Sequence, residues 1–296
     1  MDRKALQLSQ LPPAGRYVIA VSGGVDSVVL LDMFARLAAA SPVGDYEIIV
    51  AHFDHGIRSD SARDAQLVAK LSRHYGFSFE NQREELGSRA SEELARTRRY
   101  VFLRAVSHQY SAALVTAHHA DDSVETIAIN ISRGTGWRGL AVLDSDIIRP
   151  LLDMSKSEII TYATMHQLKW HEDSTNASDD YLRNRIRHRL NTFDDDAKRQ
   201  LLGLRAQQIS LKRQIDDEVQ GLVGASQQQS RYFFTHLDPA TASECLRRVT
   251  RARLTRPQQH RALLAIKTAR PGAVYQAGGG LYFRFTSRNF EVELIK

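Results

Sequence analysis

The chain has 296 residues, 43% hydrophobic and 25% charged, a balance suited to a soluble globular protein with room for two domains. It holds no run of about 20 apolar residues, so no membrane span is expected. The start, Met1-Asp2-Arg3-Lys4, lacks the long apolar stretch of a signal peptide. Cys245 is the only cysteine. That excludes an internal disulfide, a Cys-rich zinc site and any mechanism needing two thiols. Cys245 is expected to be a small buried hydrophobe, and the compartment to be the cytoplasm. The net charge of +6, with a pI near 9.5, favours a phosphate-rich partner through counterion release.

The first half alternates short apolar runs with helical patterns. Tyr17 to Val21 reads as a buried strand, and Val25 to Ala40 as a helix. Glu47 to Ala51 is a second strand, Ser59 to Tyr75 a second helix, and Phe77 to Phe79 a short strand. Ser91 to His108 is helical. Ala113 to Ala117 is a strand, Asp121 to Ser132 a helix, and Ile147-Ile148 a last strand. This alternation predicts a parallel sheet covered on both faces. Ligands of such sheets sit beyond the carboxyl ends of the strands, which here means just after Val21, Ala51 and Ala117. Beyond about residue 190 the character changes. Asp194 to Val223 is a long polar helix. From Arg231 onward short helices give way to strand-like runs such as Leu281 to Phe285 and Phe290 to Val292, with Gly278-Gly279-Gly280 as a turn. The predicted organisation is an α/β domain over 1–190 and a smaller helical or α+β appendage over 191–296.

Between the first strand and the first helix lies Ser22-Gly23-Gly24-Val25-Asp26-Ser27. Two glycines let the backbone approach a ligand closely. N–H groups at the helix start and the helix dipole favour an anion there. Ser22 and Ser27 add hydroxyls. Asp26 is an unusual residue for an anion site, and makes sense if Mg²⁺ bridges it to phosphates. The plainer reading is a strand–helix turn with Gly for sterics and Ser or Asp as cap. The loop lacks the lysine of the Gly-x-x-x-x-Gly-Lys-Ser/Thr pattern. Gly134-Thr135-Gly136-Trp137-Arg138-Gly139 fits Gly-x-Gly-x-x-Gly but follows a helix, the wrong context for a dinucleotide fingerprint.

The loop resembles the Ser-Gly-Gly-x-Asp-Ser motif of the PP-loop superfamily. There it holds the pyrophosphate of ATP, and the bond between the α and β phosphates is broken. An ordered series of further segments is similar to the tRNA(Ile)-lysidine synthetase family: Ala51 to Arg58, Ala95 to Tyr100, Thr116 to Thr126, Arg133 to Gly136, Arg149 to Leu152, Glu172 to Asn176 and Tyr181 to Arg187. The resemblance runs from about Tyr17 to Leu190. It implies a Rossmann-like α/β PP-loop ATPase domain that makes lysidine at the wobble cytidine of an isoleucine tRNA. ATP first adenylates the cytosine oxygen at carbon 2, and free lysine then displaces AMP.

Carried onto this chain, the resemblance places ATP on Ser22, Gly23, Gly24, Val25, Asp26, Ser27, His52 and His118, with Mg²⁺ on Asp26. Arg96 and Arg99 are expected to neutralise the α-phosphate, although adjacent Arg98 leaves the register open. Asp122 and Glu125, three apart on a helix and so on a shared face, are expected to hold lysine's ammonium groups or take its proton. The alternative is a solvated acidic helix start. His118-His119 with Asp121 and Asp122 lacks the His-Glu-x-x-His spacing of a zinc site. Arg183, Asn184, Arg185 and Arg187 are expected on the tRNA, the alternative being ion pairs with Asp179 and Asp180. Arg231, Arg247, Arg248, Arg251 and Arg253 are expected to grip the tRNA body.

The implied partners are ATP, L-lysine and a tRNA(Ile) with a CAU anticodon. The oligomeric state stays open, a homodimer among the options. Many members of the family carry a further C-terminal domain, so recognition of the acceptor end is expected to differ here. Two other readings remain: another PP-loop tRNA-modifying enzyme, and a tRNA-binding module without catalysis. The first is disfavoured by the single cysteine where thiolation needs a pair, the second by the presence of Asp26, Asp122 and Glu125.

Overall fold

The computed structural model describes residues 12–57, 61–87, 90–171, 186 and 195–294. The chain divides into two compact units, Met1–Ala206 and Gln207–Lys296. The division falls inside the helix Asp195–Val223.

The first unit is built on a parallel sheet in the order β3-β2-β1-β4, from strands β1 (Gly15–Ala20), β2 (Tyr46–Asp54), β3 (Ser78–Arg83) and β4 (Ala113–Val115). β1 pairs with β2 from Gly15↔Tyr46 to Ala20↔Ala51, and with β4 from Tyr17↔Ala113. The last strand expected at Ile147-Ile148 is reduced to one parallel bridge, Val115↔Ile148. Arg149-Pro150 follows at once, and proline has no N–H to extend a ladder.

Alternation along each strand divides the core between two faces. Tyr17, Ile19, Val21, Ile48 and Val50 pack against helices α1 (Val25–Ala40) and α2 (Ser61–Tyr75). Ile159, Tyr162 and Ala163 join them from a helix not expected from the sequence, Lys156–Met165. Val18, Ile49, Ala51 and Phe53 face Phe102, Leu103 and Val106 of α3 (Glu92–Gln109). Helix α4 (Ala120–Ser132) follows β4, and the helix over Lys156–Met165 is α5. Parallel strands joined by helices bring every helix start to the carboxyl edge of the sheet.

One polar network is embedded in the apolar layer. Asp32 of α1 is buried and accepts hydrogen bonds from Arg36 Nε at 2.7 Å, Tyr75 at 2.9 Å and Tyr162 at 2.7 Å. It ties α1 to the ends of α2 and α5. Burial pushes this carboxyl up, but the bonds from Arg36, Tyr162 and Tyr75 together outweigh it and hold the pKa below the ordinary value.

In the second unit the long helix α6 (Asp195–Val223) supplies Val219 and Val223 to a separate core. Three short helices, α7 (Arg231–His236), α8 (Pro239–Val249) and α9 (Arg256–Thr268), pack with an antiparallel sheet in the order β5-β8-β7-β6. Its strands are β5 (Gln228–Ser230), β6 (Val274–Gly278), β7 (Leu281–Phe285) and β8 (Asn289–Leu294). Leu281, Phe283 and Phe285 alternate inward, and Phe283 meets Phe290 edge-on at 5.7 Å. Gly278, Gly279 and Gly280 all have positive φ in the β6–β7 turn, which only glycine adopts freely. Cys245 is fully buried in this core.

Removing the carboxylate that three donors share leaves them unpaired, so Asp32→Ala is expected to destabilise the first unit by about 3 kcal/mol. A depressed carboxyl contributes stability above its unfolded pKa and loses it as pH falls through the folded value. Urea unfolding of the wild type should therefore weaken below about pH 4, and Asp32→Ala should show a shallower acid loss over that range.

Candidate active site

The strand–loop–helix between β1 and α1 is held by its own side chains. Val21 N–H donates to Ala51 O at 2.9 Å, keeping the end of β1 on β2. Ser27 Oγ accepts from Ser22 N–H at 3.1 Å and donates to Gly24 O at 2.9 Å. Ser27 is buried and its hydroxyl ties the loop together, while Ser22 is exposed. Gly23 takes φ +96°, and a Cβ there would lie 3.3 Å from Asp64 Cβ. His171 locks this contact from the outside. Its N–H donates to Gly23 O at 3.0 Å, and its Nδ1 meets Asp64 Oδ1 at 2.8 Å. The cap of α1 is Gly24, which has no side chain to satisfy the first-turn N–H groups. Those donors thus face the loop, where an anion is favoured.

Three acids and two lysines lie beside the loop. Asp26, in the first turn of α1, accepts from Lys156 Nζ at 2.5 Å. Lys156 is the first residue of α5, and its N–H donates to Asp121 Oδ2 at 2.8 Å. Lys198 Nζ reaches the other Asp121 oxygen at 3.3 Å. Burial pushes the Asp121 carboxyl up, but these two donors prevail and hold it below its usual value. Asp122 caps its own helix, accepting from His119 N–H at 3.0 Å. The buried His119 ring sits between acids, its Nε2 3.6 Å from Asp122 and 3.8 Å from Asp26. Glu125, one turn further into α4, is only 3% exposed.

The ends of the neighbouring strands add two histidines. His52 of β2 is buried, its Nδ1 donating to Val21 O at 2.8 Å, and burial lowers its pKa. The bonded proton fixes Nε2 as an acceptor, and this buried atom has no hydrogen-bond partner among the described residues. His118 pairs with Thr116 Oγ1 at 2.8 Å. Burial, aided by the positive charges of Arg149, Arg96 and Arg99 and opposed by Asp122, lowers its pKa to about 4. Arg96 and Arg99 lie over the Tyr100 ring at 4.9 and 5.8 Å, whereas Arg98 turns to Glu84 at 3.4 Å. Arg96 and Arg99 thus share the Tyr100 ring and the electrostatic surroundings of His118, while Arg98 makes a separate ion pair.

The structure brings Ser22 to Ser27, Asp122 and His119 together, and places His118 with Arg96 and Arg99. Arg183, Asn184, Arg185 and Arg187 lie outside the described residues. Sequence reasoning missed Lys156, because α5 itself was not expected. The signal was present: Ser155-Lys156-Ser157-Glu158 is a capping box, with Ser155 N–H bonded to Glu158 at 2.8 Å and Glu158 N–H to Ser155 Oγ at 3.3 Å.

A glycine-lined anion cradle at the carboxyl edge of a parallel sheet, bordered by carboxylates, defines an α/β domain of nucleotide-binding type. Residues 1–193 match the model of the PP-loop domain, and the chain belongs to that family. It is 37% identical to a tRNA(Ile)-lysidine synthase of Exiguobacterium sibiricum, over 60% of this chain and 43% of the relative. To the tRNA(Ile)-lysidine synthase of Thermotoga maritima it is 36% identical, over 58% of this chain and 44% of the relative. The matched region thus spans less than half the length of either relative. Among solved structures, the U34-tRNA thiolase NcsA of Methanococcus maripaludis is similar in fold, with a TM-score of 0.58 and 18% identity, covering 71% of this chain and 75% of that one.

With its pKa near 4, His118 is expected to stay neutral from about pH 5.5 to 8. Nitrogen-detected NMR of the imidazole should show no titration across that window and a midpoint near 4. A midpoint near the ordinary histidine value of about 6.5 would place the ring outside the buried, arginine-flanked setting.

Proposed function

We propose that this chain is an ATP-dependent ligase that joins free lysine to carbon 2 of the wobble cytidine of a CAU-anticodon tRNA(Ile). The observation that carries the reading is the meeting of two helix starts. The loop carboxylate Asp26 and the α4 carboxylate Asp122 both stand within 3.8 Å of the His119 ring. An ATP-handling loop thereby adjoins an acidic helix start suited to a cationic nucleophile. The sequence similarity to tRNA(Ile)-lysidine synthases supports the same substrate.

In this reading the loop N–H groups and the exposed Ser22 hydroxyl hold the pyrophosphate part of ATP. His52 Nε2, a buried acceptor, takes a hydrogen bond from the adenine amino group. Asp26 would hold Mg²⁺. Its oxygens suit a hard cation, and at 30% exposure, paired to a lysine at 42% exposure, the carboxylate is accessible and its present partner movable. When bound, the metal would neutralise charge on the phosphates.

The cytosine oxygen attacks the α-phosphorus and pyrophosphate leaves. Arg96 and Arg99 stabilise the charge that develops there. Neutral His118 donates or accepts a hydrogen bond without adding charge. Lysine's amine, with a pKa of about 10.4 in water, must lose a proton before it attacks. Asp122 and Glu125 hold its ammonium groups, and the buried Glu125 takes the proton. The new carbon–nitrogen bond forms as the bond from carbon 2 to oxygen breaks, and AMP leaves with that oxygen. Arg183, Asn184, Arg185 and Arg187, together with Arg247 and Arg248 at the end of α8, contact the tRNA backbone.

Thiolation is the second reading, favoured by the fold similarity to the tRNA thiolase. The chain offers one thiol, Cys245, which is fully buried. Burial, with Glu244 and Asp238 adding to it, raises its pKa, the opposite of what a reactive thiolate needs.

Incubation with ATP, Mg²⁺, labelled lysine and tRNA bearing a CAU anticodon is expected to put label in the tRNA. Absence of label from folded, tRNA-binding protein would overturn the lysidine reading. Asp122→Asn and Glu125→Gln are each expected to slow lysine transfer at least about tenfold more than tRNA-dependent adenylation, a difference of about 1.4 kcal/mol in barrier. Equal losses in both steps would remove the lysine-specific role.

A further inference from the structure

We propose that His171, held by Asp64, is a positioning residue for the phosphate loop: it fixes the peptide between Gly23 and Gly24 so that the Gly24 N–H is turned toward the anion cradle before ATP arrives. This rests on the reading of the loop as an ATP site. The hold comes from outside the loop, from α2 and from the segment that follows α5.

The need arises from the two glycines. Glycine adopts positive and negative φ with similar ease, so a peptide between two of them can turn over at little cost. Turned over, it would present a carbonyl oxygen to the phosphates in place of an N–H. Ser27 does not prevent this. Its hydroxyl accepts from Ser22 N–H at 3.1 Å and donates to Gly24 O at 2.9 Å, so it holds the Val21–Ser22 and Gly24–Val25 peptides. The Gly23–Gly24 peptide is held by His171, whose backbone N–H donates to Gly23 O at 3.0 Å. That peptide is trans, and in a trans peptide the carbonyl and the following N–H point in opposite directions. Fixing Gly23 O toward His171 therefore sends Gly24 N–H the other way, where it meets the exposed Ser22 Oγ at 3.4 Å. So long a bond is weak, and a phosphate oxygen can replace it.

The His171 side chain secures this backbone bond. Leu168 and Trp170 pack on the core just before it, but His171 itself is exposed. Its ring is fixed by Nδ1, 2.8 Å from Asp64 Oδ1. Asp64 is buried in the first turn of α2, where the helix dipole favours an acid. The same acid backs the loop directly, since a Cβ on Gly23 would lie 3.3 Å from Asp64 Cβ. One buried residue thus limits both the glycine and the histidine that grips it. A donor aimed before the ligand arrives needs no reorganisation when charge develops. The pyrophosphate group, which gains charge as it leaves the α-phosphorus, is the part of ATP that benefits.

The test is calorimetric binding of pyrophosphate, ATP and adenosine to the full-length chain with Mg²⁺. His171→Ala is expected to weaken pyrophosphate and ATP at least about tenfold and to leave adenosine unchanged. His171→Asn, whose Nδ2 can stand where the ring Nδ1 stands, should retain most of the affinity. Asp64→Asn, which keeps Oδ1 as an acceptor, should do the same. In amide NMR, saturating pyrophosphate is expected to move the Gly24 resonance downfield in the wild type and to move it less in His171→Ala. A merely structural contact would lower adenosine and pyrophosphate affinity together, along with the melting temperature, and that result would overturn the proposal. Pyrophosphate bound equally well by the wild type and His171→Ala would overturn it too, leaving the ATP reading intact. Failure of the wild type to bind either ATP or pyrophosphate would overturn the ATP reading and this proposal together.

Discussion

The parallel pairing of β1 with both β2 and β4 is the constraint on which the site depends. Each parallel neighbour must be reached by a crossover, so each strand hands the chain to a helix at the same edge. α1 and α4 therefore begin side by side, and with them come Asp26, Asp121 and Asp122. None of these residues is near another in sequence except the last two. It is the register, with Ile19 opposite both Val50 and Val115, that makes them neighbours. Tyr17, Ile19 and Val21 on one face and Val18 on the other fix that register. Slipping one residue would exchange the two core faces and carry the loop out of line with α4.

Once the helix starts converge, charge becomes the next problem. Helix N-termini favour acids, and this edge has collected three of them. They are not equivalent. Asp122 is occupied in capping α4, and Asp121 joins the start of α5 to Lys198. Asp26 has a partly exposed lysine as its partner. Across the site the balance reverses, with Arg96, Arg99 and Arg149 concentrated around His118. The lowered pKa of His118 is a direct consequence: burial and neighbouring cations both penalise a further positive charge. The site therefore has acids on one side and arginines on the other, so its field is strongly polarised.

Much of this was legible in the residues. The strands of the first unit announced themselves because a sheet covered on both faces needs continuous apolar runs, and Val18 to Val21 and Ile48 to Ala51 supply them. The loop was legible because the whole run Ser22-Gly23-Gly24-Val25-Asp26-Ser27 matches the PP-loop motif, whereas glycine and a capping acid alone would also suit a plain strand–helix turn. Short elements were harder. β5 has no apolar residue, and in β6 only Ala277 is buried. α5 is short and half-exposed, so its periodicity is faint, and only its capping box marked it. Ile147-Ile148 reads as a strand by composition, yet the following proline limits it to a single bridge. Side-chain roles were least legible. Nothing in Ser27 alone shows that its hydroxyl also closes the loop, because that depends on where Ser22 N–H and Gly24 O come to lie.

The two adjacent histidines illustrate how strongly position decides chemistry. His118 and His119 differ by one residue at the end of β4, and a strand turning into a helix sends neighbouring side chains in different directions. His118 falls among arginines, with Thr116 as its hydrogen-bond partner. His119 falls among Asp26, Asp121 and Asp122, all within 3.8 Å. The first is kept neutral by burial and by the arginines around it. The second stands where acids from two helices meet, so it separates carboxylates that would otherwise repel one another directly. One peptide step at the end of a short strand therefore divides the arginine-rich side of the site from its acidic side.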